Sequence, residues 1–295
     1  MRFAFIGPGT MGRGMAMNLA AEQPDCLIIG RRKESLAPFQ ERSIPTSTSV
    51  YDAADYDITF LCLRDEADVC GLLLGEDSPA FCRGQIIVDC STVNYRTARK
   101  LASYWESRGV AYLDAPVSGF KRKAEDGTLR IFCGGKRESF EAVKPLLSRM
   151  GEPVYMGPSG AGQLTKMINN CALNICAASF CELMPLGVAE GLDAEALGEV
   201  LCTATGSSYA SRTLIPEILS GNFSYDFTME SAYKDIRSLE ELLKEKELEL
   251  PAFNGMKETY ERALREGYGS LYKGAMIRPY EEQLGILCRK ELPDA

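Results

Sequence analysis

Short apolar runs alternate with stretches of helical period through the first half of this chain, and no other feature of the sequence limits the possible folds as much. Arg2–Ile6, Cys26–Ile29, Ile58–Leu63, Gln85–Asp89, Ala111–Asp114 and Leu129–Cys133 read as strands. Between them, Met11–Ala21, Ala67–Leu74, Tyr95–Arg108 and Ser139–Arg149 carry the helical pattern. A β-α-β alternation builds a parallel sheet covered by helices, so an α/β, doubly wound parallel sheet is expected. After Val154-Tyr155-Met156 the strand pattern stops. The turn cluster Gly157-Pro158-Ser159-Gly160 leads into a long helical stretch from Ala161 to about Glu190, interrupted at Pro185. Further helices are expected over Ala194–Cys202, Ser208–Leu219, Met229–Glu245, Ala252–Glu266 and Tyr272–Leu287. The expected organisation is an α/β domain over residues 1–158 and an all-helical domain over 159–295 that opens with a long interdomain helix.

The composition excludes several kinds of chemistry. The chain has no histidine, so Ser-His-Asp hydrolysis, Cys-His nucleophiles and His-ligated zinc are impossible, and no metal site is expected. Proton transfer must fall to Lys, Tyr, a carboxylate, Cys or water. A net charge of −8 without a basic stripe argues against nucleic acid as a partner. Eleven scattered cysteines, an odd number with no C-x-x-C pair, fit buried free thiols in a reducing cytoplasm. The first apolar run lacks the flanks of a signal peptide, and no stretch of about 20 apolar residues stands out as a membrane span.

The most informative local motif is Gly7-Pro8-Gly9-Thr10-Met11-Gly12, with G-x-G-x-x-G spacing between the first strand and the first helix. Gly7 permits the tight turn, Gly9 lets a pyrophosphate approach the backbone, and Gly12 lets the helix sit close to the sheet. The helix N-terminus then offers unpaired N–H groups to the phosphates. In this strand-turn-helix context the motif marks a Rossmann-type dinucleotide-binding domain; the alternative is a tight turn that binds nothing. The second strand ends Ile28-Ile29-Gly30-Arg31-Arg32. It lacks the carboxylate that commonly accepts from the ribose hydroxyls of NAD. Arg31 and Arg32 stand instead where a 2′-phosphate would be, which favours NADP while leaving NAD possible. Otherwise they are solvated loop charges.

Four blocks in order resemble the β-hydroxyacid dehydrogenases, the family of 3-hydroxyisobutyrate dehydrogenase and of tartronate semialdehyde and glyoxylate/succinic semialdehyde reductases. They are the glycine motif with Met15-Ala16-Met17-Asn18-Leu19, then Asp114-Ala115-Pro116-Val117-Ser118-Gly119, then Gly160-Ala161-Gly162-Gln163-Leu164-Thr165-Lys166-Met167-Ile168-Asn169-Asn170, and Lys234-Asp235. The resemblance runs to roughly residue 285 and implies a two-domain enzyme that moves a hydride between a nicotinamide cofactor and a small carboxylate-bearing hydroxy acid or its carbonyl partner. It also implies roles. Lys166 matches the catalytic lysine, Ser118 and Gly119 the substrate-carboxylate loop, and Asn170 the residue holding the substrate beside the lysine. Thr92 and Leu63 match contacts beside the cofactor, and Lys234 a late lysine that closes over it. A dimer or tetramer built on the helical domain is implied as well.

The residues around Lys166 support that assignment independently. Lys166, Asn170 and Asn174 recur at i, i+4 and i+8 on a segment that is otherwise apolar or neutral, so they share one helix face. Burying such a stripe is costly without a purpose. Partial burial and a cationic nicotinamide would bring the lysine down from its ordinary range near 10.4. The other use of the stripe is a hydrogen-bond network that only positions the helix. Phe120 departs from the family's second glycine, and its bulk is expected to narrow or reshape the carboxylate pocket. Lys121-Arg122-Lys123 then read as solvated loop charges or as an attractant for extra negative charge. A hydroxyacid dehydrogenase, an imine reductase of the same fold and a non-catalytic NADP-binding scaffold remain open, and Lys166 counts against the second.

Overall fold

The computed structural model describes residues 1–21, 25–76, 78–224 and 228–289. The last six residues of the expected helical domain lie outside these. The chain divides into two compact units, Met1–Lys166 and Met167–Ala295, so the division falls inside the long helix.

The first unit is built on one sheet. Strands β1 (Phe3–Ile6), β2 (Cys26–Ile29), β3 (Thr46–Ser47), β4 (Ile58–Leu61), β5 (Ile86–Asp89) and β6 (Ala111–Asp114) lie in the order β3-β2-β1-β4-β5-β6, all parallel. Every residue of β1, β2 and β4 is buried. That is possible only if both faces are covered, as crossover helices do for parallel strands. Phe3 and Phe5 enter one core with α1 (Gly12–Ala20), α2 (Lys33–Gln40) and α6 (Arg137–Met150). Ala4 and Ile6 enter the other with α3 (Glu66–Leu74) and α4 (Tyr95–Glu106). The two-residue period of a strand divides its side chains this way.

The structure departs from a purely parallel sheet beyond β6. Strand β8 (Leu129–Gly134) runs antiparallel to β6 and to β7 (Val117–Ser118), and β9 (Gly151–Gly157) runs parallel to β8. A parallel return needs a crossover of a dozen or more residues. Here the link is taken up by β7, which pairs with β8, and by the five-residue helix α5 (Lys121–Glu125). The residues Lys121-Arg122-Lys123, expected in a loop, are therefore helical. The expected strand to Leu63 ends at Leu61, because Cys62 and Leu63 already belong to the turn behind the glycine loop. The short elements β3, β7, α2 and α5 carry too few periods to be read from sequence.

Helix α7 (Ala161–Ala189) runs unbroken through Pro185, which corrects the expected interruption. A proline removes one hydrogen bond and crowds one carbonyl. Phe180, Cys181 and Met184, buried just before it, keep the last turn packed. By length and composition α7 would be apolar enough to cross a membrane, contrary to the expectation that no such stretch exists. Its buried residues, among them Cys171, Ala177, Ala178, Cys181 and Met184, join the core of the helical unit.

In the second unit α8 (Ala194–Thr203), α9 (Tyr209–Ser220), α10 (Met229–Glu245), α11 (Pro251–Arg265) and α12 (Arg278–Leu284) follow. Asp193, Ser208 and Thr228 cap α8, α9 and α10 with side-chain oxygens. The single helix expected over Tyr272–Leu287 is instead a 3-10 turn, Lys273–Ile277, followed by α12. Pro279 suits the first turn of a new helix, and Gly285 in the left-handed region ends it.

Candidate active site

The strand order reverses at β1, between β2 and β4. In an open α/β sheet the crevice at the carboxyl ends of strands flanking such a switch point is where ligands bind. The glycine loop leaves β1 there. Gly7 has φ +96°, and a Cβ on it would stand 2.3 Å from the Cys62 carbonyl oxygen. At Gly12 a Cβ would meet the Gly7 carbonyl oxygen at 2.1 Å, so helix and loop touch only because both positions are glycine. A Cβ on Gly9 would meet nothing within 4 Å, so this backbone faces open space. Pro8 is buried, while Gly9 and Thr10 are exposed and Met11 half-buried. Helix α1 has no side-chain cap and no acidic residue in its first turn. Its leading N–H groups and the open face of Gly9 fit a pyrophosphate.

The neighbouring strand ends converge on the same edge. The Leu63 backbone N–H donates to Ser91 Oγ at 2.9 Å. The Ser91 N–H donates to Asp89 Oδ1, and Tyr112 Oη donates to the other Asp89 oxygen. Gln163 Nε2 donates to the Ser91 carbonyl at 2.7 Å, and its Oε1 accepts from the Val93 N–H. These bonds clamp the turn on both sides of Thr92, which alone of Ser91, Thr92 and Val93 is exposed. Arg31 and Arg32 leave the end of β2 as exposed side chains.

The carboxylate-loop candidates lie beyond β6. Ser118 ends β7 and is half-buried. Gly119 has φ +138°, and a Cβ there would crowd Lys123 and Leu129 near 3 Å. Asn18 Nδ2 donates to the carbonyls of Ala124 and Glu125, fastening α5 to α1. Phe120 opens α5 and is 47% exposed, and Lys121 and Arg122 pair with Glu125 and Asp126 along it.

Asp114 and Gln163 were not singled out from sequence, although both lie in the blocks that carried the resemblance. The buried Asp114 carboxylate accepts from the Gly160 N–H at 2.7 Å and the Gln163 N–H at 2.9 Å, holding the start of α7. Burial pushes its carboxyl up to about 6 against those hydrogen bonds, and burial raises Asp89 to about 6 as well. A Cβ on Gly162 would stand 2.2 Å from the Phe132 carbonyl oxygen, so that glycine is a packing requirement.

Lys166 ends the first unit, half-buried on α7. In the second unit the half-buried Asn170 donates through Nδ2 to Asp235 Oδ2 at 2.6 Å. A carboxylate can only accept, so the bond sets the orientation of the amide, and Asn170 Oδ1 in turn accepts from Asn169 Nδ2 at 3.4 Å. Asn174, one turn on, accepts from the buried Lys273 Nζ at 3.3 Å. No sequence signal marked Lys273, which sits among glycine and tyrosine like a surface turn residue. Lys234 precedes Asp235 on α10 and is exposed.

Residues 2–157 match the model of the NAD binding domain of 6-phosphogluconate dehydrogenase, which covers more than half of the chain. Residues 160–280 match the NAD-binding domain of NADP-dependent 3-hydroxyisobutyrate dehydrogenase. The chain belongs to the β-hydroxyacid dehydrogenase family. It is thus an NAD(P)-dependent hydroxyacid dehydrogenase with a Rossmann domain followed by helices. It is 32% identical to 2-(hydroxymethyl)glutarate dehydrogenase of Eubacterium barkeri, over 97% of each chain. It is 31% identical to 2-hydroxy-3-oxopropionate reductase of Escherichia coli, over 95% of this chain and 97% of the other. The solved structure of 3-hydroxyisobutyrate dehydrogenase from Salmonella typhimurium shares the fold with a TM-score of 0.85, at 21% identity over 95% of this chain and 99% of that one.

Proposed function

We propose that this dehydrogenase interconverts a small β-hydroxy acid and its aldehyde or keto acid, with Lys166 as general acid and base and NADP as the preferred cofactor. The observation that carries the proposal is the face of α7. There Lys166 precedes by one turn an Asn170 whose amide is oriented by Asp235, so a lysine able to exchange the hydroxyl proton and a fixed amide to position the substrate stand on one helix face. The bound nicotinamide accepts or supplies the hydride. Lys166 takes the hydroxyl proton in oxidation and returns it as ammonium in reduction, and its charge stabilises the oxyanion as it forms. Ser118 and the Gly119 backbone hold the substrate carboxylate, and the exposed Thr92, with Leu63, flanks the cofactor. Lys234 on α10 is the late lysine that the family resemblance assigns to the cofactor. Relatives named for 2-(hydroxymethyl)glutarate and 2-hydroxy-3-oxopropionate support a carboxylate-bearing substrate.

Arg31 and Arg32 underlie the NADP preference. The exposed Ile168, Leu183 and Leu186 along α7 support a homo-oligomer formed through the helical unit, which light scattering would test. The free thiols support a cytoplasmic location.

The deciding experiment is steady-state kinetics of Lys166→Ala and Lys166→Arg beside a cofactor titration. The alanine variant is expected to bind dinucleotide and lose at least about 10²-fold in kcat. Arginine is expected not to rescue it, since a guanidinium does not release a proton near neutral pH. A Lys166→Ala enzyme within about threefold of wild type would remove the lysine from the mechanism.

A further inference from the structure

Two arginines from different strand ends share one carboxylate beside the glycine loop. Arg31 follows β2, and Gly30 just before it lies so close to Pro8 that a Cβ would stand 3.2 Å from the Pro8 ring. Arg64 follows the end of β4. Arg31 Nη2 lies 3.9 Å from Asp68 Oδ1, and Arg64 Nη2 lies 3.4 Å from Asp68 Oδ2. One small anion therefore suffices to engage both guanidinium groups, one oxygen to each. Two properties separate this cluster from a structural ion pair. The contacts to Asp68 are long, and the arginine side chains are 82% and 77% exposed, Arg64 being tethered through Nε to the adjacent Asp65. Pairs of that kind contribute little and are readily exchanged. Asp68, in contrast, is 21% exposed and sits in the first turn of α3, where its backbone N–H is capped by Asp65 Oδ1. The arginines can turn to another anion; the carboxylate stays where it is.

We propose that Arg31 and Arg64 together form the seat for the 2′-phosphate of the dinucleotide, and that Asp68 is a resident carboxylate that competes for that seat and limits selectivity for the phosphorylated cofactor. The inference rests on the dinucleotide assignment and deepens it, since the sequence pointed only to Arg31 and Arg32. A phosphate monoester presents the same pair of anionic oxygens as the Asp68 carboxylate and carries more charge, so it displaces the carboxylate from both guanidinium groups. The displaced carboxylate remains nearby and repels the phosphate. Arg64 is thus a specificity-determining residue that favours the phosphorylated cofactor, and Asp68 one that opposes it. Arg64 also lies 3.1 Å through Nε from Asp65, which keeps its guanidinium at this edge when Asp68 is replaced.

The test is calorimetric binding of adenosine 2′,5′-bisphosphate and of adenosine 5′-monophosphate to the whole chain, in wild type, Asp68→Asn and Arg64→Ala, with circular dichroism as a fold check. Asp68→Asn is expected to tighten the bisphosphate about three- to tenfold and Arg64→Ala to weaken it by a similar factor, the range of partly exposed charge pairs. The monophosphate should change by less than about twofold in both variants. Both effects should shrink at high salt. An Asp68→Asn protein that binds the bisphosphate no tighter overturns the competition, and an Arg64→Ala protein that weakens both fragments alike, or neither, removes Arg64 from the seat. Equal binding of the two fragments by wild type would instead remove the 2′-phosphate preference itself, and with it this inference.

Discussion

Replacing Asp114 by Asn should destabilise the Rossmann domain in acid and leave it as stable as wild type, or slightly more stable, above neutrality. In the fold this carboxylate accepts two buried backbone N–H groups, from Gly160 and Gln163. An asparagine keeps one acceptor and turns an NH2 toward the other N–H, leaving a buried donor unmet at a cost of about 1–3 kcal/mol at every pH. Against this stands the charge. Burial moves the Asp114 carboxyl from 3.8 to about 6. A folded pKa above the unfolded one contributes stability that is complete below about 3.8 and lost as pH rises through about 6. The full loss is roughly 3 kcal/mol. The neutral asparagine does not suffer it. The variant should therefore be about 1–2 kcal/mol less stable than wild type near pH 4, and equal to it or about 1 kcal/mol more stable by about pH 8. Urea unfolding across that pH range measures it. The single tryptophan, Trp105, is buried on α4 in this unit and reports its unfolding. A stability difference constant to within about 0.5 kcal/mol from pH 4 to 8 would refute the assigned burial cost.

Other perturbations follow from the same geometry. Gly12→Ala places a Cβ against the Gly7 carbonyl and should weaken dinucleotide binding by more than about tenfold in a fluorescence titration. Gln163→Leu strips partners from the Val93 N–H and the Ser91 carbonyl and should cost roughly 2–4 kcal/mol in urea unfolding. Asp235→Ala frees the Asn170 amide and should raise KM for the hydroxy acid about tenfold or more, with the cofactor Kd unchanged. An aldehyde acid should be reduced several powers of ten better than the matched aldehyde without its carboxylate, as competing steady-state assays would show, because the missing anion leaves polar groups unpaired.

Much of this was legible in the sequence because it depends on neighbours a few residues away. A parallel strand buried on both faces must be apolar throughout, so β1, β2 and β4 announced themselves. The glycine loop was readable because its constraint lies within six residues, and the shared face of Lys166, Asn170 and Asn174 because a helix repeats every 3.6 residues. Elements that exist only through a partner were not readable. Strands β3 and β7 have two residues each and become strands by pairing with β2 and β8, and β8 takes its direction from how the link before it is spent.

The chemistry divides along the same line. Sequence alone determined which residue types were available, a lysine with two amides on one face and no histidine anywhere. Tertiary structure decided what each of them touches. Asn170 finds Asp235 across 65 residues, and Asn174 finds Lys273 across 99. Arg31 and Arg64 meet at Asp68 only because β2 and β4 both flank β1. Helix α7 passes Pro185 because side chains from distant helices pack its last turns. Local patterns are set by bond geometry and period, which a sequence carries in register. Partners across the fold are chosen by packing and by the need to satisfy buried polar groups, and those conditions exist only once the chain is assembled.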